Sequence, residues 1–186
     1  MPILKQEPNL HPATLLADYL AGTSETGLWW AMYTRSRREK QLMRHLLASE
    51  IPFYCPLLSR RYRSPAGRVR ESFQPLFSNY VFMLGNADQR VSALTTNCVS
   101  RCVEVSDGDR LARDLEQIQR LIGTGAALTP EARLLAGDPV RVKTGMFAGF
   151  EGLIVRRENE TRLLVSVNFM EQGASVLLDD CQLEKR

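Results

Sequence analysis

The chain has 186 residues, 44% of them hydrophobic and 24% charged, with a formal net charge of +3. These are ordinary proportions for a soluble globular protein of one domain or two small ones, and a charge this modest makes its distribution more informative than its total. No apolar run approaches the roughly 20 residues that span a bilayer, and the polar, proline-containing start MPILKQEPNLHP is not a signal peptide, so the expectation is a cytoplasmic protein with no membrane partner.

Residues 1–27 read as a loose N-terminal extension punctuated by Pro2, Pro8, Pro12, Gly22 and Gly27, with room for a short helix at about 12–20. The aromatic-rich stretch LWWAMYTR (28–35) predicts a strand. Ser36-Arg37-Arg38-Glu39 then has the form of a capping box, Ser36 accepting from the third helical amide and Glu39 reaching back. Leu42, Met43, Leu46 and Leu47 share one face at a 3.6-residue period, and Pro52 stops the helix. FYCPLLSRRYR and RVRESFQPLF predict two strands joined by a turn at Ser64-Pro65-Ala66-Gly67. NYVFML (79–84) predicts a further strand, residues 87–96 a short helix, and CVSRCVEV (98–105) another strand. DRLARDLEQIQRLIG predicts a helix capped by Asp109, with a stripe of Leu111, Leu115, Ile118 and Ile122, ending at Gly123.

Residues 124–136 read as a linker with one helical turn at 130–135. Beyond it the period changes to 2. Val140 and Val142 alternate with Arg141 and Lys143, and Leu163, Val165, Val167 and Phe169 alternate with Leu164, Ser166, Asn168 and Met170. Four or five short strands in about 50 residues predict a small barrel, whose closed pairing compensates for a small core. The chain thus divides into an extension (1–27), an α/β domain (28–123), a linker (124–136) and an all-β domain (137–186).

GDPVRVKTGMFAGFEGLIV (137–155) raises the question of a phosphate cradle. A P-loop needs its final glycine followed by Lys and Ser or Thr, opening a helix whose amides face the phosphate. Here Leu-Ile-Val follows Gly152 and predicts a strand, so Gly145, Gly149 and Gly152 are assigned to turns and bulges. Cys55, Cys98, Cys102 and Cys181 are scattered, and only His11 and His45 could join them; free thiols are expected, and no metal or cofactor. No nucleophile–base pair stands out, so no catalytic residue is assigned and the chain is not expected to be an enzyme.

The stretch G-D-x-V-R-V-x-x-G-x-F-A-G-F-x-G-x-I resembles the KOW motif, and residues 137–186 resemble the C-terminal KOW domain of the NusG family of transcription factors. WWAMYTRSRREKQ resembles the opening of that family's N-terminal (NGN) domain, PLFSNYVFM (75–83) its most typical segment, and TTNCVSRCVEV the segment after it. Together these matches span about 28–186. Ser78 stands where the family has Pro, Asn79 where Gly is common, Cys98 where Gly is usual and Met146 where Pro is usual; the arrangement is similar to the specialised, operon-directed, RfaH-like branch. The fold implied is α+β: an antiparallel sheet flanked by helices, followed by a small SH3-like barrel.

The resemblance implies a transcription elongation or antitermination factor, a monomer, whose N-terminal domain binds the β′ clamp helices of RNA polymerase. Tyr33, Phe77, Tyr80 and Phe82 match the apolar patch for that contact. Aromatic side chains suit an interface, being large at low entropy cost, and suit a core equally. Ten cations lie between 35 and 70 (Arg35, Arg37, Arg38, Lys40, Arg44, Arg60, Arg61, Arg63, Arg68 and Arg70) against Glu39 and Glu50. Arg35, Arg37, Arg38, Arg61 and Arg63 are the candidate contacts to the non-template DNA strand that the resemblance implies; the other reading is a solvated face. In the barrel, Phe147 and Met170 are the candidate contacts to a small-subunit ribosomal protein or Rho, and the period puts Phe169 inside. The competing reading is an RNA-binding or ribosome-associated KOW module without polymerase contact. The alternating Val/Leu pattern favours β structure in the second domain, with no switch to helices.

Overall fold

The computed structural model describes residues 7–23, 27–63, 67, 69–131, 137–157, 160–178 and 183–185. The expected turn at 64–67 and Cys181 fall largely or wholly outside them. The chain forms two compact units, divided between Gly108 and Asp109, and the class is α+β.

The first unit is built on a five-stranded antiparallel sheet. Its strands are β1 (Leu10–His11), β2 (Leu28–Thr34), β3 (Phe53–Tyr54), β6 (Tyr80–Gly85) and β7 (Val99–Glu104), in the order β1-β3-β6-β2-β7. A hairpin of β4 (Leu57–Arg63) and β5 (Val69–Pro75) forms a sheet of its own. Three helices join these strands: α1 (Leu15–Leu20), α2 (Glu39–Ala48) and α3 (Ala87–Thr95). One sheet face is legible as period 2. Trp30, Met32, Val81 and Met83 pack with Leu42, Met43 and Leu46 of α2 and Ala93 of α3, all buried.

Residues 7–23 of the N-terminal extension are not loose. Leu10 and His11 pair with Tyr54 and Phe53, which lengthens the sheet, and Leu15 and Leu16 of α1 are buried. Tyr19 of α1 sets its ring edge-on to Trp29 at 5.5 Å. The expected capping box is also absent. Arg38 is the N-cap of α2 with no side-chain capping bond, and Glu39 bonds Asn79 instead. A capping box forms at α3 instead, where Asn86 and Gln89 exchange side-chain-to-backbone bonds of 2.9 Å. α2 ends before Pro52, because Glu50 turns left-handed (φ 53°) and the Ile51 amide bonds back to the Leu46 carbonyl at 2.9 Å.

In the second unit, α4 (Gly108–Gly123) precedes six antiparallel strands in the order β13-β9-β10-β11-β12-β8. These are β8 (Leu128–Glu131), β9 (Asp138–Val142), β10 (Glu151–Arg157), β11 (Glu160–Val167), β12 (Gln172–Leu177) and β13 (Leu183–Lys185). Two features depart from the sequence reading. The helix assigned to the first domain groups with these strands, and residues 128–131 of the expected linker are a strand on the edge of β12. Side chains hold the helix in place. Asp114 of α4 accepts from the Asn168 amide (2.9 Å) and side chain (3.1 Å), Gln117 accepts from the Glu151 amide (3.0 Å), and the Arg120 guanidinium lies 4.9 Å from the Phe150 ring. Within α4, Leu121 rather than Ile122 completes the buried stripe.

Gly145 and Gly149 are turn residues as expected; Gly152 is not, being a strand residue in register with Val140. Gly145 and Gly149 have φ of 85° and 86°, and Gly149 donates to the Val142 carbonyl at 2.8 Å. Gly152 lies within β10, where a Cβ would sit 2.3 Å from the Leu164 carbonyl oxygen of β11. In β11, Leu163, Val165 and Val167 are buried as the period predicts, but Leu164 is buried as well; the strand then ends, residues 168–170 form a 3-10 turn, and Glu171 is left-handed at φ 53°.

Candidate interaction surfaces

Strands β2 and β6 pair Tyr33 with Tyr80, and β2 and β7 pair Tyr33 with Arg101. The two tyrosine rings meet edge-on at 5.1 Å, and Tyr80 stacks over Phe82 at 6.3 Å. Burial, and then the neighbouring Tyr33, raise the Tyr80 hydroxyl's pKa; Arg101 opposes them. Tyr33 is 39% exposed and Tyr80 half-buried, whereas Phe77 is 2% and Phe82 0% exposed. The predicted aromatic group is therefore brought together only in part. Its accessible members are Tyr33 and Tyr80, and Phe82 supports them from below. Arg101, which completes this patch, was not singled out by sequence reasoning; only the β2–β7 register puts it beside Tyr33.

The turn before β6 explains the PLFSNYVF signature. Asn79 adopts φ 66°, which Asn tolerates better than most side chains. Its amide donates to the buried Glu39 carboxylate at 2.8 Å, and its carbonyl accepts from Thr34 at 2.7 Å. Thus the end of β2, the start of α2 and the start of β6 are tied at one place.

Arg35, Arg37 and Arg38 leave β2 in a tight turn next to that knot. The Arg38 amide bonds the Arg35 carbonyl at 3.0 Å, Arg37 is left-handed at φ 59°, and all three side chains are exposed. Arg38 also bonds Gln41. Arg44 is engaged instead by Glu7 in a paired contact of 2.7 and 2.9 Å. Arg61 and Arg63 are exposed on the separate β4–β5 hairpin, where Arg61 meets Glu71 at 3.5 Å. The predicted arginines thus form two groups, one at the end of the main sheet and one on a ribbon.

In the second unit, Phe147 is buried and sets its ring 6.2 Å from Phe150, while its neighbour Met146 is 70% exposed. Phe169, expected inside, is 39% exposed because the 3-10 turn interrupts the strand period; Met170 is half-buried. A groove of about 420 Å³ runs between Met146, Phe147, Val176 and Leu177 and the segment Thr124 to Ala127.

Cys55 and Cys98 are buried free thiols and Cys102 is half-buried, with the Cys55 thiol held protonated by burial. Among the described residues no group of three His, Cys, Asp or Glu side chains could hold a metal ion, and no helix is long and apolar enough to cross a membrane.

Comparison with known proteins bears on residues around these surfaces. The NusG family model, described as transcription termination factor nusG, matches residues 27–127, more than half of the chain. Two solved structures are similar. A Thermotoga maritima NusG structure on domain interaction shares 20% identity, covering 86% of this chain and 97% of that one, with a TM-score of 0.45. A chain of the MjSpt4:Spt5 complex shares 13% identity, covering 86% and 98%, with a TM-score of 0.26. No curated protein sequence matches.

Proposed function

This chain belongs to the NusG family of transcription factors, and from that premise we propose that it acts on RNA polymerase during elongation, by binding and not by chemistry. Residues 28–123 serve as the NGN domain and dock on the β′ clamp helices through Tyr33, Tyr80 and Arg101. The observation that carries this reading is the pairing of exposed Tyr33 with half-buried Tyr80 at the ends of β2 and β6, inside the span that matches the family. An apolar coiled-coil surface is met by aromatic rings with little entropy loss, and Arg101 adds a charge at the rim.

The arginine turn Arg35, Arg37 and Arg38, adjoining this patch, faces the non-template DNA strand. Residues 137–186 act as a KOW domain that recruits a second protein, a small-subunit ribosomal protein or Rho. There Met146 and Phe169 offer the accessible apolar surface, Met170 lies at its edge, and Phe147 supports it. The bound factor suppresses pausing or termination in the cytoplasm, and it acts as a specialised factor of the RfaH-like kind that its motifs resemble.

Pull-down of the full chain with the isolated clamp-helix fragment tests the proposal. Retention that disappears in Tyr33→Ala plus Tyr80→Ala, with the fold intact by circular dichroism, supports it. No retention of the natural chain, combined with tight binding to RNA, overturns it in favour of an RNA-binding module.

A further inference from the structure

The β4–β5 hairpin carries more net positive charge than the rest of the molecule combined. Residues 57–75 hold Arg60, Arg61, Arg63, Arg68 and Arg70 against Glu71, a balance of +4 in a chain whose total is +3. The hairpin is a two-stranded sheet paired over seven registers, from Leu57 with Pro75 to Arg63 with Val69. At about 3.3 Å per residue it is a ribbon roughly 20 Å long.

Its cations are not confined to one face. Pairing sets Ser59, Phe73, Arg61, Glu71, Arg63 and Val69 on one side, and at its base Phe73 packs against the core. Arg60 lies on the opposite side with Ser72 and Gln74, and no carboxylate stands among the described residues of that side. The one acidic residue, Glu71, offsets Arg61 only weakly, since the pair is 3.5 Å apart and Arg61 is largely in solvent.

A ribbon with cations on both faces matches a ligand that presents anions on both sides of it. The major groove of B-form DNA is about 12 Å wide, admits a two-stranded ribbon, and is walled by two phosphate backbones. A single strand is held differently, by aromatic stacking beside a positive track. The hairpin's aromatic residues are Tyr62 and Phe73, and Phe73 packs on the core, so the ribbon lacks the row of rings that successive bases would need. Double-stranded RNA offers a major groove too narrow and deep for such a ribbon. We infer that the β4–β5 hairpin seats in the major groove of duplex DNA, with Arg60 on one face and Arg61 and Arg63 on the other reaching opposite phosphate walls. This refines the nucleic-acid part of the proposed function: Arg61 and Arg63 meet duplex, and the arginine turn Arg35–Arg37–Arg38 meets the single strand.

The test is fluorescence anisotropy with the full chain, a short duplex DNA of arbitrary sequence, the matching single strand and the matching RNA duplex, over a salt series. For Arg60→Ala plus Arg61→Ala plus Arg63→Ala, duplex DNA affinity should fall at least about tenfold at low salt. The salt slope should drop by about 3, near 0.9 for each phosphate no longer neutralised. Single-strand affinity should stay within about twofold, since the hairpin does not touch it in this proposal. Three exposed side chains are changed, so the melting temperature should hold. Failure of the natural chain to bind duplex DNA, equal weakening on both DNA forms, or preferred binding to the RNA duplex would each overturn the inference. Clamp-helix retention is measured separately, so failure of this inference and failure of the polymerase reading remain distinguishable.

Discussion

The Glu39 carboxylate accepts a 2.8 Å hydrogen bond from the backbone amide of Asn79, 40 residues further along the chain. Glu39 begins α2 and Asn79 occupies the left-handed corner before β6, so one side chain fixes the arginine turn relative to the tyrosine pair. Glu39→Ala leaves a half-buried amide without its acceptor, which costs about 1 kcal/mol. Urea denaturation should show that decrease, together with weaker clamp-helix binding even though Tyr33 and Tyr80 are intact. Unchanged stability would mean that the turn is held by the Thr34–Asn79 backbone bond without Glu39.

Tyr33 and Phe82 are expected to separate function from packing. Tyr33→Ala removes a side chain on the accessible patch and should reduce polymerase binding while lowering stability by less than about 1 kcal/mol. Phe82→Ala empties a fully buried site and should cost about 3–5 kcal/mol. Parallel binding and melting measurements on the two variants check this. Equal melting temperatures would remove Phe82 from its supporting role.

Gly152→Ala places a methyl group against the Leu164 carbonyl, where the nearest approach is 2.3 Å. Neither strand can yield without breaking the β10–β11 ladder, so the second unit should lose its slow-exchanging amides. Gly149→Ala strains only a turn with positive φ and should cost about 1 kcal/mol. Amide hydrogen exchange on both variants distinguishes a packing requirement from a conformational one.

Arg162 donates to Ser175, Thr129 and Glu160, and the buried Ser175 hydroxyl donates to Glu131 at 2.6 Å. This network clasps β8 to the edge of β12. Ser175→Ala should speed amide exchange of residues 128–131 at least about tenfold, equivalent to about 1.4 kcal/mol of local opening, with little change in β10 or β11. Uniform acceleration across the unit would show that the network supports the whole sheet.

Burial raises the pKa of Asp114 above its ordinary 3.8, against the lowering effects of the two Asn168 hydrogen bonds and of Arg110 and Arg113. The folded chain therefore keeps this proton to a higher pH than the unfolded chain does. Folding takes up a proton in that window, so this residue's contribution to stability falls as pH rises through it. Asp114→Asn should remove that slope and leave neutral-pH stability equal or higher, since the amide oxygen still accepts from Asn168. A melting-temperature series from pH 4 to 7 measures both; an unaltered slope would exclude Asp114 as its source.

Local periodicity determined much of this protein. β2, β6, β7, α3 and strands β9 to β12 of the second unit lie close to where alternation and helical spacing put them, because one buried face writes its period into the sequence. Gly145 and Gly149 were readable as turn residues for the same local reason. Motifs identified the family, as the match over 27–127 shows. Tertiary structure alone decided what lies across from what. Glu39 had the right spacing for a capping box but found a stronger use 40 residues away, and the linker strand found an open edge on β12. Phe82 and Phe77 are buried while Tyr33 and Tyr80 reach solvent, and Arg101 joins them through register. Phe169 followed the period on paper and left it in space, because a 3-10 turn ended the strand two residues earlier. Sequence spacing records which face of its own element a residue occupies; whether that face is covered depends on elements far away in the chain.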